Sequence, residues 1–205
     1  GRTQIRASGE LKTDSDFGFK GSLVVASNLP SGLAALFAPE IDPAIRKLAR
    51  AGIAAEVELT PETQSFQDME LDLDGELLTG SLVNSFPQTG STIRTLVAEL
   101  NGDVLDLDAT GALIALADVN GTADGAQQME AKLDLKGLEF GSVVTGPVVA
   151  DLKITEDTAA RSIEIADFQV QSVAGVNLSA TGKLGGEGGY DLAVKVNGDN
   201  LATAL

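Results

Sequence analysis

Leu71-Asp72-Leu73-Asp74-Gly75 decides how the rest of the chain is read. Its apolar residues stand at every second position, which puts them on one face of a strand, and Asp-Gly then supplies the positive φ that a tight reversal needs. The phrase returns as Ala98-Glu99-Leu100-Asn101-Gly102, Leu133-Asp134-Leu135-Lys136-Gly137 and Val194-Lys195-Val196-Asn197-Gly198. A looser companion, glycine followed two residues later by leucine, stands at Gly9-Glu10-Leu11, Gly21-Ser22-Leu23, Gly80-Ser81-Leu82, Gly111-Ala112-Leu113 and Gly182-Lys183-Leu184. The spacing is irregular, so these are diverged hairpin units and not a solenoid with a short exact repeat. A repeated surface, more than a catalytic pocket, is what such a chain offers.

Composition narrows the class. With 205 residues the chain reads as one β-rich domain with room for a sizeable core. Its 23 glycines and 4% aromatics suit a thin, extended sheet better than a sandwich filled with rings. Histidine and cysteine are both absent, which excludes a Ser-His-Asp or Cys-His nucleophile, a thiolate and an ordinary zinc or haem site. A formal net charge of −16 argues against nucleic acid, because phosphate binding needs a basic stripe. Mean hydropathy is nevertheless mildly positive, so apolar and acidic residues must be separated by alternation within strands. No stretch has the roughly 20 apolar residues of a membrane span.

Along the chain, strands are expected over residues 3–12 and 17–27, joined by the polar turn Thr13-Asp14-Ser15-Asp16. One short helical segment follows near residues 31–51, an insertion over 30–52. Pro30-Ser31-Gly32 opens its first part, with Leu33, Leu36 and Phe37. Asp42-Pro43 opens its second, with Ile41, Ile45 and Leu48 on one face and Gly52 as the stop. Further strands are expected over 54–59, 67–74, 77–84, 92–100, 104–110, 113–117, 128–135, 148–155, 161–170, 176–184 and 190–196. No helical crossover is expected among them, so the sheet is a mainly antiparallel meander. Strand character from Thr3 onward and the unfinished Leu201–Leu205 make residues 1–205 read as a fragment of a longer protein.

Several motifs approach known binding chemistry. Glu70, Asp72, Asp74 and Gly75 approach a calcium loop, but Ser81 stands where the bidentate Glu belongs, and a solvated strand face is the reading kept. Gly185-Gly186-Glu187-Gly188-Gly189-Tyr190-Asp191-Leu192 is a single displaced copy of a calcium β-roll phrase and reads as a hairpin loop. Gly175 to Lys183 fails as a phosphate loop on glycine spacing and on Leu184. Asn120-Gly121-Thr122 and Asn177-Leu178-Ser179 are glycosylation sequons that read as turn and strand. Arg46, Lys47 and Arg50 form a basic island suited either to a docking helix or to a helix that covers an open end of the sheet, its cations near its own C-terminus. No feature selects a pair of carboxylates for acid-base work, so no enzyme activity, cofactor or metal is expected.

Phe17-Gly18-Phe19-Lys20-Gly21-Ser22-Leu23-Val24-Val25, followed by Asn28-Leu29-Pro30-Ser31-Gly32-Leu33-Ala34-Ala35-Leu36, resembles the AsmA-like (AsmA/TamB-type) family of bacterial envelope proteins. So do residues 69–82, and Phe168-Gln169-Val170 running through Val176 to Leu184. The likeness covers most of the chain. It implies a long β-sheet curled into a groove or half-barrel, in the periplasm of a Gram-negative cell. It also implies an inner-membrane anchor outside this piece, no catalytic residues, and a role in phospholipid transport or outer-membrane assembly. On that resemblance the working part is the apolar inner face, here Leu71, Leu73, Leu133, Leu135, Ile163, Ile165, Leu192, Val194 and Val196. Its partners would be an acyl-chain ligand such as phospholipid, and outer-membrane assembly proteins. A second class stays open beside it, an extracellular adhesin- or filament-like β-domain that binds a protein through its edges or loops. Alternation also leaves open whether the apolar face lines a groove or fills a core.

Overall fold

The computed structural model describes residues 2–13, 17–36, 40–87, 93–117, 127–156, 161–171, 176–185 and 189–198. The elements run β1 (Thr3–Lys12), β2 (Gly18–Ser27), α1 (Pro30–Ala34), α2 (Pro43–Lys47), β3 (Ala51–Leu59), β4 (Thr63–Leu73), β5 (Glu76–Ser85) and β6 (Arg94–Asp106). They continue α3 (Leu107–Ala117), β7 (Gln127–Phe140), β8 (Val143–Val144), β9 (Val148–Glu156), β10 (Arg161–Gln171), β11 (Val176–Gly185) and β12 (Tyr190–Gly198). All strands join one 12-stranded sheet in chain order, with the short β8 off the path against β7. The protein is mainly β, in a mostly antiparallel sheet that is not closed into a barrel, as the alternation predicts. The turn at Asp14–Asp16, the sequon at Asn120, the core of the glycine loop at Gly186–Gly188, Phe37 and residues 201–205 lie outside the described residues.

Two expectations are corrected. Residues 107–110 and 113–117 are helix and not strand, with 104–106 the end of β6, and a helical crossover does exist. The 11-residue α3 spans Leu107–Ala117, and it joins β6 to β7, which pair in parallel. Its start is capped by Asp106, whose Oδ1 accepts the Ala109 N–H at 2.9 Å. Ala109, Ala112, Ala115 and Ala117 favour helix, and Gly111 sits within it, although the expected strands 104–110 and 113–117 leave that glycine in the turn between them. The earlier helical segment is present as α1 and α2, and Asp42 caps α2 by accepting the Ala44 N–H at 2.8 Å. It stops sooner than expected, since Leu48 is already extended and Gly52 lies inside β3.

The glycine phrases divide into two kinds. Asp74-Gly75 is a hairpin turn between β4 and β5, with positive φ at both residues (55° and 105°) as a two-residue primed turn requires. Asn101-Gly102 and Lys136-Gly137 lie inside strands, which corrects their reading as reversals. There the lack of a side chain lets backbones approach: a Cβ on Gly102 would stand 2.3 Å from the Leu77 carbonyl oxygen. Gly80 and Gly182 show why the companion phrase exists. Each has positive φ (147° and 128°), and a Cβ would stand 1.8 Å from the Glu99 oxygen and 2.1 Å from the Asp191 oxygen respectively. Each also borders a bulge on the preceding strand, between Phe66 and Met69 in β4 and between Ile165 and Phe168 in β10. Bulges and mid-strand glycines are what bend a sheet.

Register puts Leu23, Val57, Phe66, Leu82, Ala98 and Ala131 on one face. That face holds Val57, Met69, Leu78, Leu100 and Leu135 in a core cluster although the described residues form no second sheet. Curvature therefore supplies the burial. Helices close one end: Leu48 beyond α2 and Ala109 of α3 pack on Leu73. At the other end the face turns polar. The Asn84 Nδ2 donates to Gln64 Oε1 at 3.2 Å, Arg94 Nε donates to Asn84 Oδ1 at 2.9 Å, and the Arg94 guanidinium lies 5.3 Å from the Phe86 ring centroid. We expect Gly80→Ala to lower stability by about 3 kcal/mol or more, from strain and backbone clash together. Gly111→Ala, whose Cβ meets nothing within 4 Å, should raise it by about 0.5–1 kcal/mol. Urea unfolding of the two variants checks both.

Candidate functional site: the apolar sheet face

Pairing registers place all nine residues named for the inner face on one side of the sheet. Leu71 is opposite Ile53 and Leu78, and Leu73 is opposite Ala51. Leu133 pairs with Leu100 and Ala150, and Leu135 with Val148. Ile163 and Ile165 face Ile154 and Leu152, while Leu192, Val194 and Val196 face Gly182, Ala180 and Leu178. The bulge in β10 preserves this order, because it takes up one residue and returns Phe168 to the same side as Ile165.

Their surroundings differ along the sheet. Leu73 and Leu135 are 3% and 2% exposed and belong to the packed clusters. Leu71, Leu133, Ile163 and Ile165 are half-buried. Leu192, Val194 and Val196 are exposed, at 36%, 53% and 48%. The face is thus a filled core from β3 to β7 and an open apolar strip along β12. Nothing in the alternation distinguishes these positions, because it reports which side a residue faces and not what stands over it.

A separate apolar cavity of about 340 Å³ lies where the helices meet the sheet, lined by Val25, Ile53 and Leu71 from the strands, Leu33 from α1 and Leu113 from α3. Its one polar side chain is Ser27, whose hydroxyl is already engaged, accepting the Leu29 N–H at 3.1 Å and lying 2.9 Å from Thr3 Oγ1. The cavity therefore offers a ligand no free donor or acceptor beyond backbone, and suits hydrocarbon. Sequence reasoning missed it, because Leu113 was assigned to a strand.

The opposite face is polar and ordered by charge. Asp72 and Asp74, which suggested a calcium loop, are held by Arg50 and the turn. Asp72 accepts from Gly75 N–H at 2.8 Å and pairs with the Arg50 guanidinium at 3.2 Å, and Asp74 accepts the Arg50 backbone N–H at 2.7 Å. No group of three or more carboxylates among the described residues is placed to hold a metal ion. Lysines lie directly across from carboxylates: Lys20–Glu58 at 3.1 Å, Lys132–Glu99 at 3.6 Å, Lys153–Glu130 at 3.0 Å and Lys183–Glu164 at 3.3 Å. Each such exposed pair adds well under about 1 kcal/mol, yet together they oppose any slip in register. The hydrogen bond from Lys136 and then the Leu77 N–H hold the Asp103 carboxyl below its usual value, and the same contact raises Lys136.

No helix among the described residues is long and apolar enough to cross a membrane. Comparison with protein-family models, with curated proteins and with solved structures finds no match for this chain.

Two predictions follow from this geometry. Leu135→Ala should cost about 2–5 kcal/mol as a cavity in a filled region, whereas Val194→Ala, on the open strip, should stay within about 0.5 kcal/mol; chemical denaturation separates them. The Asp103–Lys136 pair stabilises the fold between the carboxylate and lysine ranges. That contribution is lost as pH falls through the lowered Asp103 pKa, and again as pH rises through the raised Lys136 pKa. The stability difference between the native chain and Asp103→Asn, followed by urea midpoints across pH, should peak near neutrality and shrink at both extremes.

Proposed function

We propose that this chain is a non-catalytic, lipid-handling segment of an AsmA-like envelope protein. It would work in the periplasm, between an inner membrane reached through segments outside this piece and outer-membrane assembly partners. What carries the reading is one observation: one sheet face gathers most of the large apolar strand residues, is covered over its middle, and stays open to solvent along Leu192, Val194 and Val196. Covering an exposed apolar strip with an acyl chain is favourable by roughly 25 cal/mol per Å² removed from water. The hydrocarbon-lined cavity beneath α1 and α3 is a second place for the same chemistry. The charged opposite face keeps such a sheet in solution while its apolar face is occupied.

The adhesin- or filament-like reading keeps one supporting observation, the two free strand edges at β1 and β12. Solvent extraction of stringently washed protein, read by mass spectrometry, tests the lipid reading. Acyl lipid should be released, Val194→Glu should reduce it several-fold, and Ala193→Glu on the opposite face should leave it unchanged. Protein free of acyl chains, or equal loss in both variants, overturns the reading. Leu135→Glu is not a usable probe, because Leu135 is buried in the core and its ionised replacement would unfold the sheet.

A further inference from the structure

We infer that the two free edges of the sheet are complementary to each other, so that β12 of one molecule pairs antiparallel with β1 of a second copy. The charge pattern of the polar face argues for it. Across β7, β9, β10, β11 and β12, directly opposed residues run Glu130, Lys153, Glu164, Lys183, Asp191, an unbroken alternation of sign over five strands. The row stops at a carboxylate on a free edge. The strand that could carry it on is β1, which holds Arg6 and Lys12 against one acidic residue, Glu10, in a chain of net charge −16.

Direction and register agree. β1 and β12 have opposite senses within the sheet, given nine antiparallel pairings and one parallel pairing along the path. A second copy added edge to edge therefore continues the alternation of strands with the apolar faces aligned. Placing Lys12 across from Asp191 then sets Leu11 against Leu192, an apolar pair, and Gly9 against Val194, Ala7 against Val196 and Ile5 against Gly198, large side chains against small ones on the apolar side. On the polar side it sets Ser8 against Lys195 and Glu10 against Ala193, diagonal to both Lys195 and Asp191. A shift of two residues toward Tyr190 would oppose Glu10 to Asp191 and Arg6 to Lys195, like charges directly across a ladder, which is destabilising. Neither edge carries a proline or an inward-facing charge of the kind that blocks strand addition. Ile5 and Leu11, at 60% and 58% exposed, would continue the apolar strip of β12 across the junction. The contact is head-to-tail, so it propagates into oligomers and does not close as a dimer.

The absence of cysteine makes a direct test clean. Ser8→Cys protein mixed with Lys195→Cys protein and mildly oxidised should form the mixed disulfide, since opposed antiparallel residues lie within disulfide reach. Ser8→Cys mixed with Ala193→Cys or with Asn197→Cys should give several-fold less. Sedimentation of the unmodified chain should show mass rising with concentration, weakened in Lys12→Asp, with circular dichroism confirming that this variant is folded. A chain that remains monomeric at every concentration overturns the inference. So does equal cross-linking of the three mixtures, or a disulfide within one chain when Ser8→Cys and Lys195→Cys are combined, which would mean the sheet closes on itself.

Discussion

A single sheet with one apolar face has no second layer to cover it, and the rest of this structure answers that constraint. Apolar area left in water forfeits roughly 25 cal/mol per Å², so the sheet bends until its own side chains shield one another. The bulges in β4 and β10, and the glycines that border them, are the hinges of that bend. The three short helices and the Gln64–Asn84–Arg94 network close the two ends of the hollow so formed. Leu78, with 0% exposure in a protein of one sheet, measures how far the bending goes.

The bend is uneven, and the exposure of the apolar face follows the unevenness. Among the described residues the helices pack on β2, β3, β4, β6 and β7 while β12 is exposed throughout, so one apolar face is a core at one side and a surface at the other. The polar face is uniform by contrast. Its opposed lysines and carboxylates, in the pairs β1–β2, β2–β3 and β6–β7 and from β7 through β12, hold those strands in the register that keeps the apolar residues together, since a slip of one residue would turn them outward. The two faces are thus linked: charge on one side fixes the alignment on which the apolar surface of the other depends.

Particular residues show where the chain could be read directly. Period-two alternation located Leu71, Leu133, Ile163 and Val194 on a common side, because the pleat imposes that outcome whatever lies above it. Asp74-Gly75 was legible as a turn because both residues take positive φ there. Gly102 and Gly137 looked the same in sequence but serve close backbone approach inside strands, a demand created by neighbours distant along the chain. Residues 107–117 were misread for a related reason. Their apolar run with Gly111 suits a strand locally, and the Asp106 cap with the alanines at 109, 112, 115 and 117 was the signal that outweighed it.

The amino-acid sequence by itself determined the β class, the sidedness of the strands it located and the lack of histidine and cysteine, because alternation and residue type act within a few residues. Only the tertiary structure decided which apolar residues are core and which are surface, that β6 and β7 run parallel through a helix, and that an alternating row of charge ends at a free edge. Those facts depend on curvature and on pairing between strands far apart in the chain, and no local pattern encodes the distance to the residue across the sheet.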